Sequence, residues 1–394
     1  MADETNVLDE LEKGPWPSFV TQIKEAGRKS PIARDLLRQL EQSYRDKKLY
    51  WRHGGVVGVW GYGGGMIGRY SARPDLFPGV AEFHTVRLNN PSGWFYSTKA
   101  LRQVCDIWEK YGSGLVYAHG MTGDLMLLGT TTNNLQPCFD ELSGEADFDL
   151  GGSGPGFRTV SCCVGPARCE FACYDTLDVT YDLTMTFQSE LHRPSLPHKF
   201  KVKCSGCPND CVGAILRSDM PIIGTWRDTI QIDQAAVREY IDGGLDIVSD
   251  VISKCPTKCL WLAEKQLGIE DRECNRCMHC INVMPKALRP GKERGATILI
   301  GGKTLLVEGA LISSVLIPFI KLTPPYQEIK DLMTKIWDFW GDNARGRERV
   351  GEFIERIGLG NFLEGIGIEP NPYVIAHPRE NPFIKFEEYY REGD

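Results

Sequence analysis

The stretch CNRCMHCINVMP, Cys274 to Pro285, sets Cys274, Cys277 and Cys280 two residues apart and then places Met284 before Pro285. This spacing lets one tight loop wrap three corners of an iron-sulfur cube, because such clusters need soft thiolate donors. A chain that carries it must fold around an inorganic core and bring the fourth ligand from elsewhere. In the C-x2-C-x2-C-x3-C-P pattern, the cysteine before proline serves a second cluster, so Met284 in that place removes the second cluster and leaves the first intact. The missing ligand should then be a distant Cys-Pro, and Cys255-Pro256 fits. Cys255, Cys274, Cys277 and Cys280 are therefore read as the ligands of one [4Fe-4S] cluster, with Cys259 left over. Zinc is disfavoured, because zinc knuckles prefer separated C-x2-C pairs to a triplet. His279, inside the triplet, reads as a loop residue.

The other cysteines extend the argument. Fourteen in a chain of 394 residues would mean disulfides in a secreted protein, but clustered short spacings read as metal binding. The start, MADETNVLDELEK, is acidic and helix-like and lacks the basic and apolar segments of a secretory signal, so a cytoplasmic location is expected. The most apolar run, Ala310 to Ile320, has eleven residues with two serines and a proline, well short of the ~20 that a spanning helix needs. No membrane span is expected. With 45 Lys and Arg against 52 Asp and Glu, the net charge of -7 gives no general reason to expect nucleic acid.

Hydrophobic spacing organises the remainder. PIARDLLRQLEQSY is helical in period, and HGGVVGVWGY reads as a β-branched strand, so an α+β layer is expected over residues 1–150. A second domain is placed at 151–232. From Asp233 the texture changes: a helical stretch with a Gly-Gly interruption, the CPTKC segment, the cysteine triplet and PKALRPGKERG form a compact insert, 233–298. Strand-like alternation then resumes in ATILIGGKTLLVEGALI, and EIKDLMTKIWDFW and RVGEFIERI read as amphipathic helices closing a domain at 299–394.

A second cysteine set pairs Cys163-x5-Cys169 with Cys207-x3-Cys211. C-x5-C followed by C-x3-C resembles the way sulfite and nitrite reductases hold a [4Fe-4S] cluster against a siroheme. With LDELEKGPWPSF, SGCPNDC, RCMHCINVMPKAL and NFLEGIGIE, the resemblance narrows to the alpha subunits of dissimilatory sulfite reductases and covers nearly the whole chain. It implies an α+β fold of sulfite-reductase-type α/β domains with an inserted ferredoxin-like domain. It also implies a siroheme and two [4Fe-4S] clusters per chain, with Cys163, Cys169, Cys207 and Cys211 holding the siroheme-coupled one and the Cys211 sulfur bridging to the siroheme iron. The surplus thiols Cys162, Cys173, Cys204 and Cys259 read as small buried hydrophobes.

The activity implied is the six-electron reduction of sulfite toward sulfide in sulfate respiration, with electron transfer entering at the ferredoxin-like insert. The resemblance further implies an α2β2 heterotetramer with a beta subunit, active sites at the interface, and a small sulfur-carrier protein as partner. In that arrangement Cys211 and Lys201 would serve different hemes, and the siroheme on this chain can be a silent one. Three alternatives stay open at this stage: an assimilatory sulfite or nitrite reductase, an electron-transfer and structural subunit, and the same complex running in the sulfide-oxidising direction.

Siroheme is rich in carboxylates and sulfite is an oxyanion, so cations must be concentrated locally in an acidic chain. Lys199, Lys201 and Lys203 alternate just before Cys207, which on a strand places all three on one face. The resemblance puts the substrate-side cations at Arg69, Arg87, Arg158, Lys199, Lys201, Lys203 and Arg217. GYGGGMIGRYS matches G-x-G-x-x-G at Gly63, Gly65 and Gly68, but no helix reads after it, so a turn or a close backbone approach to the macrocycle is the better account.

Overall fold

The computed structural model describes residues 7–14, 17–120, 122–304 and 309–370. The chain divides into two compact units, Met1–Gly206 and Cys207–Asp394. Residues 1–6 of the acidic start, Pro15 and Trp16 of the GPWPSF motif, and residues 305–308 of the expected alternation lie outside the described residues.

In the first unit, α1 (Phe19–Gly27) and α2 (Pro31–Asp46) each begin at a serine whose hydroxyl accepts an orphan backbone N–H, Val20 at Ser18 and Ala33 at Ser30. Three short strands follow, β1 (Trp51–His53), β2 (Met66–Ile67) and β3 (Arg69–Ser71), with β1 antiparallel to β3. Next come β4 (His84–Leu88), α3 (Thr98–Tyr111), β5 (Leu115–Ala118), β6 (Leu125–Thr130) and α4 (Thr132–Glu145). The order β2-β4-β6-β5 makes an antiparallel sheet with Arg87 opposite Met126. Successive residues of a strand face opposite sides, and β6 uses both: Leu127 joins a core with Val104 and Trp108 of α3 and Phe139 of α4, while Leu128 packs with Ile23 of α1 and Leu36 of α2. The sheet is thus buried on both faces by helix pairs. The unit closes with β7 (Ser161–Cys162), α5 (Thr176–Thr186), α6 (Gln188–His192) and β8 (Val202–Ser205), where β7 and β8 run parallel.

HGGVVGVWGY is not the strand that its apolar character suggested. Only His53 belongs to a strand, and Gly54, Gly55 and Gly61 take positive φ, which breaks the extended run and leaves Val56 and Trp60 exposed. The glycines beyond it serve close packing: a Cβ on Gly68 would lie 2.6 Å from the Gly54 carbonyl oxygen. A strand, β3, follows Gly68 where a dinucleotide fingerprint would need a helix.

The second unit begins with α7 (Ala214–Arg217), β9 (Met220–Trp226), β10 (Gln231–Ile232) and α8 (Gln234–Asp242). The hairpin β11 (Leu260–Ala263) and β12 (Gln266–Ile269) turns through Glu264 and Lys265, both left-handed. After α9 (His279–Val283), β13 (Leu288–Arg289) pairs with β10, so residues 233–287 leave and rejoin the unit at neighbouring points. β14 (Arg294–Ile300) pairs antiparallel with β9 and with β15 (Ser314–Ile320), the strand formed by most of the apolar run. Among the described residues no helix is long and apolar enough to cross a membrane.

The closing helices are α10 (Gln327–Asn343), α11 (Val350–Ile357) and α12 (Leu359–Gly365). They meet through Phe339, Phe353 and Phe362, whose ring centroids stand 5.6 to 6.3 Å apart. Arg349, at the head of α11, anchors this layer to the start of β9 by donating Nε and Nη2 to Asp219 Oδ1 at 2.8 and 2.7 Å, with both side chains buried. Arg349→Met leaves the Asp219 carboxylate buried without this partner and should cost about 3–5 kcal/mol. Urea unfolding followed by tryptophan fluorescence should show an earlier transition, partly restored in the Asp219→Asn/Arg349→Met pair; an unchanged midpoint contradicts the anchoring role.

Candidate cluster and cation sites

In the second unit, the triplet loop curls because Arg276 and Met278 take positive φ, at 57° and 69°. Arg276 then clamps it, donating to the carbonyls of Trp226 at 2.9 Å, Cys274 at 2.7 Å and Arg227 at 2.9 Å and to Asp271 at 3.1 Å. Cys255, Cys259, Cys274, Cys277 and Cys280 line one pocket, walled by Trp226, Ile230, Val251 and Ile281. Among the described residues no three His, Cys, Asp or Glu side chains converge tightly enough for a single metal ion. Five thiols lining one pocket are the soft donors that an iron-sulfur cube takes.

Cys259 was expected to be a plain buried residue, but the structure brings it into the cavity with its Sγ 3.6 Å from that of Cys255. The two thiols differ in environment. Burial pushes Cys255 up, but the N–H groups of Cys259 and Thr257 outweigh it and bring the thiol down to about 7, whereas burial pushes Cys259 up to about 12. Backbone donors thus favour a thiolate at Cys255.

The second cysteine set starts in the first unit. Cys163 follows β7, its Sγ accepts the Gly206 N–H at 3.1 Å, and Cys169 N–H closes the turn onto the Gly165 carbonyl at 2.8 Å. A Cβ on Gly165, at φ 51°, would strike Thr176 at 2.1 Å, so this tight turn requires glycine. The next residue after Gly206 is Cys207, which opens the second unit. There, Cys207-x3-Cys211 is a turn with Asp210 at φ 46°, and its carboxylate accepts the Ala214 and Ile215 N–H groups at the head of α7. Cys211 is exposed. Cys162, Cys173 and Cys204 are buried, and burial raises Cys204 to about 12.

Six of the seven expected cations lie in the first unit. Arg87, buried on β4, donates Nη1 to Asp124 Oδ2 at 3.1 Å. Arg69 is half-buried on β3, and burial together with the charge of Arg87 lowers its guanidinium below the ordinary arginine range. Arg158 donates to the Gly154 carbonyl at 3.1 and 3.3 Å. Lys203 is on β8, 1% exposed, with Nζ 2.6 Å from Ser161 Oγ. Lys199 and Lys201 are half-buried before it and alternate with buried Phe200 and Val202, as expected, although the strand itself starts only at Val202. Arg217 is in the second unit, exposed at the end of α7.

Sequence reasoning missed two histidines in this region. His119 is linked through Thr122 and Asp124 to Arg87, and burial together with the charges of Arg87, Lys201 and Arg158 lowers its proton affinity. His84, on β4, accepts the Arg69 N–H at Nδ1 and so carries its proton at Nε2, 2.9 Å from Thr132 Oγ1. Buried Arg87 Nε and Asp124 Oδ1 have no hydrogen-bond partner among the described residues, the pattern of a site that a polar ligand completes. The donor sets thus fit both kinds of group that the cysteine pattern implies: thiols for an iron-sulfur cube and clustered cations for a carboxylate-rich macrocycle or an oxyanion.

Residues 153–371 match the nitrite and sulphite reductase 4Fe-4S domain, and residues 78–144 match the nitrite/sulfite reductase ferredoxin-like half domain. Fold and site together thus define a member of the nitrite and sulfite reductases. Dissimilatory-type sulfite reductase alpha subunits from Nitratidesulfovibrio vulgaris and Allochromatium vinosum are 48% and 51% identical, covering 98% and 97% of this chain and 94% of each relative. The crystal structure of dissimilatory sulfite reductase I superposes with a TM-score of 0.91 at 46% identity, over 96% of this chain and 93% of that one. The chain belongs to the family of dissimilatory-type sulfite reductase alpha subunits, and the expected α+β sulfite-reductase fold is the one found. The assimilatory alternative is set aside by these relatives.

His84 yields a pH test of the strand that presents Arg87. Burial lowers its pKa, opposed by the charge of Glu82. Between the depressed native value and the ordinary value of ~6.5, the unfolded chain holds a proton that the native chain does not, so stability falls as pH drops through this window. The thermal midpoint should therefore fall more steeply on acidification in the wild type than in His84→Asn, whose Oδ1 can still accept the Arg69 N–H. Parallel slopes contradict the assignment.

Proposed function

We infer that the chain is the alpha subunit of a dissimilatory sulfite reductase that takes sulfite through a six-electron reduction toward sulfide. Membership of the alpha-subunit family at about half identity over nearly the full length is the observation that carries this reading. The cofactors are siroheme and iron-sulfur clusters. When bound, siroheme supplies the iron that sulfite coordinates, and the clusters supply electrons.

Two [4Fe-4S] clusters per chain follow from the two cysteine sets. Cys255, Cys274, Cys277 and Cys280 would hold one, with Cys255 favoured over Cys259 by the backbone donors at its sulfur. Cys163, Cys169, Cys207 and Cys211 would hold the siroheme-coupled one, with Cys211 as the bridge. The domain division 1–150, 151–232, 233–298 and 299–394 is retained as a functional reading, with the β10–β13 pair as the neck of the ferredoxin-like insert.

Arg69, Arg87, Arg158, Lys199, Lys201, Lys203 and Arg217 are assigned to the anionic substrate and to the siroheme carboxylates. The grouping of Arg87, Arg158 and Lys201 round His119 supports this for those three, which would hold the sulfite oxygens and stabilise negative charge as S–O bonds lengthen. Lys203 acts from its buried place beside Ser161. Arg217 rests on the family pattern alone.

A beta subunit in an α2β2 assembly is the expected partner, and the exposed apolar side chains Leu49, Val56 and Trp60 of the first unit are the kind of surface that a subunit covers. A small sulfur-carrier protein and a cytoplasmic location complete the proposal.

The test is to purify the chain with a co-expressed beta subunit, count iron and siroheme, and record the visible spectrum with and without sulfite. Cys277→Ser should lower iron while siroheme is retained. Lys201→Gln should raise KM for sulfite about tenfold or more, as expected for loss of a charge-assisted contact. Zinc in place of iron, or a spectrum indifferent to sulfite, overturns the reading.

A further inference from the structure

The turn joining β5 to β6 places an imidazole among the proposed substrate cations, and its wiring is specific. The His119 N–H donates to the Asp124 carbonyl at 3.0 Å, and the His119 carbonyl accepts from Gly123 at 2.7 Å, so the backbone fixes the residue at the mouth of the turn. The side chains form a directed chain. Asp124, a carboxylate that accepts Arg87 Nη1, also accepts the Thr122 hydroxyl through Oδ2. With its proton committed there, Thr122 Oγ1 can only accept from His119 Nδ1, 2.7 Å away. The proton of the neutral ring is therefore on Nδ1, and the lone pair is on Nε2. That nitrogen has no hydrogen-bond partner among the described residues, and the ring is half-buried, edge-on to Tyr117 at 5.6 Å.

The charged groups facing this ring are Arg87, Lys201 and Arg158, which oppose its protonation, and Asp124, which favours it. Burial is the largest influence and acts with the three cations, so the imidazole is held below the ordinary histidine range and is neutral at neutral pH. An oxyanion settling among the same cations offsets their field at Nε2. The balance then shifts toward imidazolium, and the added proton stands beside the anion that will lose oxygen as water.

We propose that His119 takes up a proton when an oxyanion binds among Arg87, Arg158 and Lys201, and holds that proton ready for the departing oxygen. The proton comes from solvent, enters the Nε2 lone pair, and leaves from Nε2 to a sulfite oxygen; a second proton from solvent and two electrons from the iron-sulfur clusters of the proposed enzyme complete the loss of that oxygen as water, while Nδ1–H stays bonded to Thr122. The inference rests on the reading of these cations as the sulfite site.

The experiment uses the oxidised α/β holoenzyme. Sulfite binding is measured by calorimetry in buffers of different ionisation enthalpy, which yields protons taken up per sulfite bound, and in parallel by the visible spectrum across about pH 6 to 8, the range in which a perturbed histidine titrates. His119→Asn keeps an amide donor for Thr122 but cannot titrate, and its folding is checked by unchanged iron and siroheme content. The wild type should take up more protons per sulfite than the variant, its affinity should strengthen more steeply toward low pH, and kcat of the variant should fall about a hundredfold or more, the usual share of a positioned acid. Thr122→Val, which cuts the link to Asp124 and leaves the imidazole in place, should change the pH at which uptake occurs. Equal proton uptake in wild type and His119→Asn, with a normal sulfite response in both spectra, overturns the proposal alone. A wild-type spectrum that ignores sulfite overturns the substrate reading and the proposal with it.

Discussion

A buried guanidinium is stabilised by a carboxylate beside it, and the pairing of Arg87 with Asp124 holds the cation that β4 presents in the first unit. Removing a partner from such a pair costs several kcal/mol, because the remaining charge is stranded away from water. The sheet provides the pair directly: Arg87 sits opposite Met126 in the β4–β6 register, which sets Asp124, two residues earlier, within reach. Gly151 provides the room, since a Cβ there would lie 2.6 Å from Asp124 Oδ1. The charge of Arg87 in turn acts on half-buried Arg69 and, with Lys201 and Arg158, on His119, so the first unit carries basic residues close enough to influence one another in a chain of net charge -7.

The second unit solves a related problem with the same residue type. Its cysteine loop has little regular structure of its own, because a cluster-binding loop must point thiols inward and cannot spend its backbone on a ladder. Arg276 supplies the missing order by gathering the carbonyls of Cys274, Trp226 and Arg227, a planar fork filling several acceptors at once. Arg349 does the same for the helical layer through Asp219. Half-buried Arg276 thus orders an irregular loop, and buried Arg349 ties a helix to the strand layer.

What could be read from the sequence was what is local along the chain. The spacing of Cys274, Cys277 and Cys280, and the x5 and x3 spacings of the second set, are short-range patterns along the chain, so they were legible as candidate ligand sets. The amphipathic helices α10 and α11 were legible for the same reason of short-range periodicity. HGGVVGVWGY misled because apolar content was counted and the positive φ of its glycines was not. Cys259 and His119 were missed for a different reason. The place of Cys259 in the pocket depends on a hairpin turning back toward the triplet, and the environment of His119 depends on charges such as Arg158 and Lys201 that lie far along the chain. No spacing rule encodes such meetings.

The surplus of thiols raises a selectivity problem that the fold resolves by environment. Fourteen cysteines compete for iron during assembly, and the thiolate is the form that binds it. Burial disfavours that form, as at Cys204 and Cys138, both raised to about 12, at Cys204 in spite of hydrogen bonds from Thr180 and Tyr174. Cys255 is buried as well, yet N–H groups aimed at its sulfur bring it to about 7. Cys163 likewise receives the Gly206 N–H, whereas its sequence neighbour Cys162 is raised by burial even though its sulfur accepts the Gly93 N–H. Backbone donors by themselves are therefore insufficient: Cys162 has one and remains a core residue on β7, while Cys163 stands half-exposed on the turn beyond it. Each of these two adjacent sulfurs accepts one backbone N–H, so what separates them in the structure is exposure: Cys162 is buried on β7 and Cys163 is half-exposed beyond it.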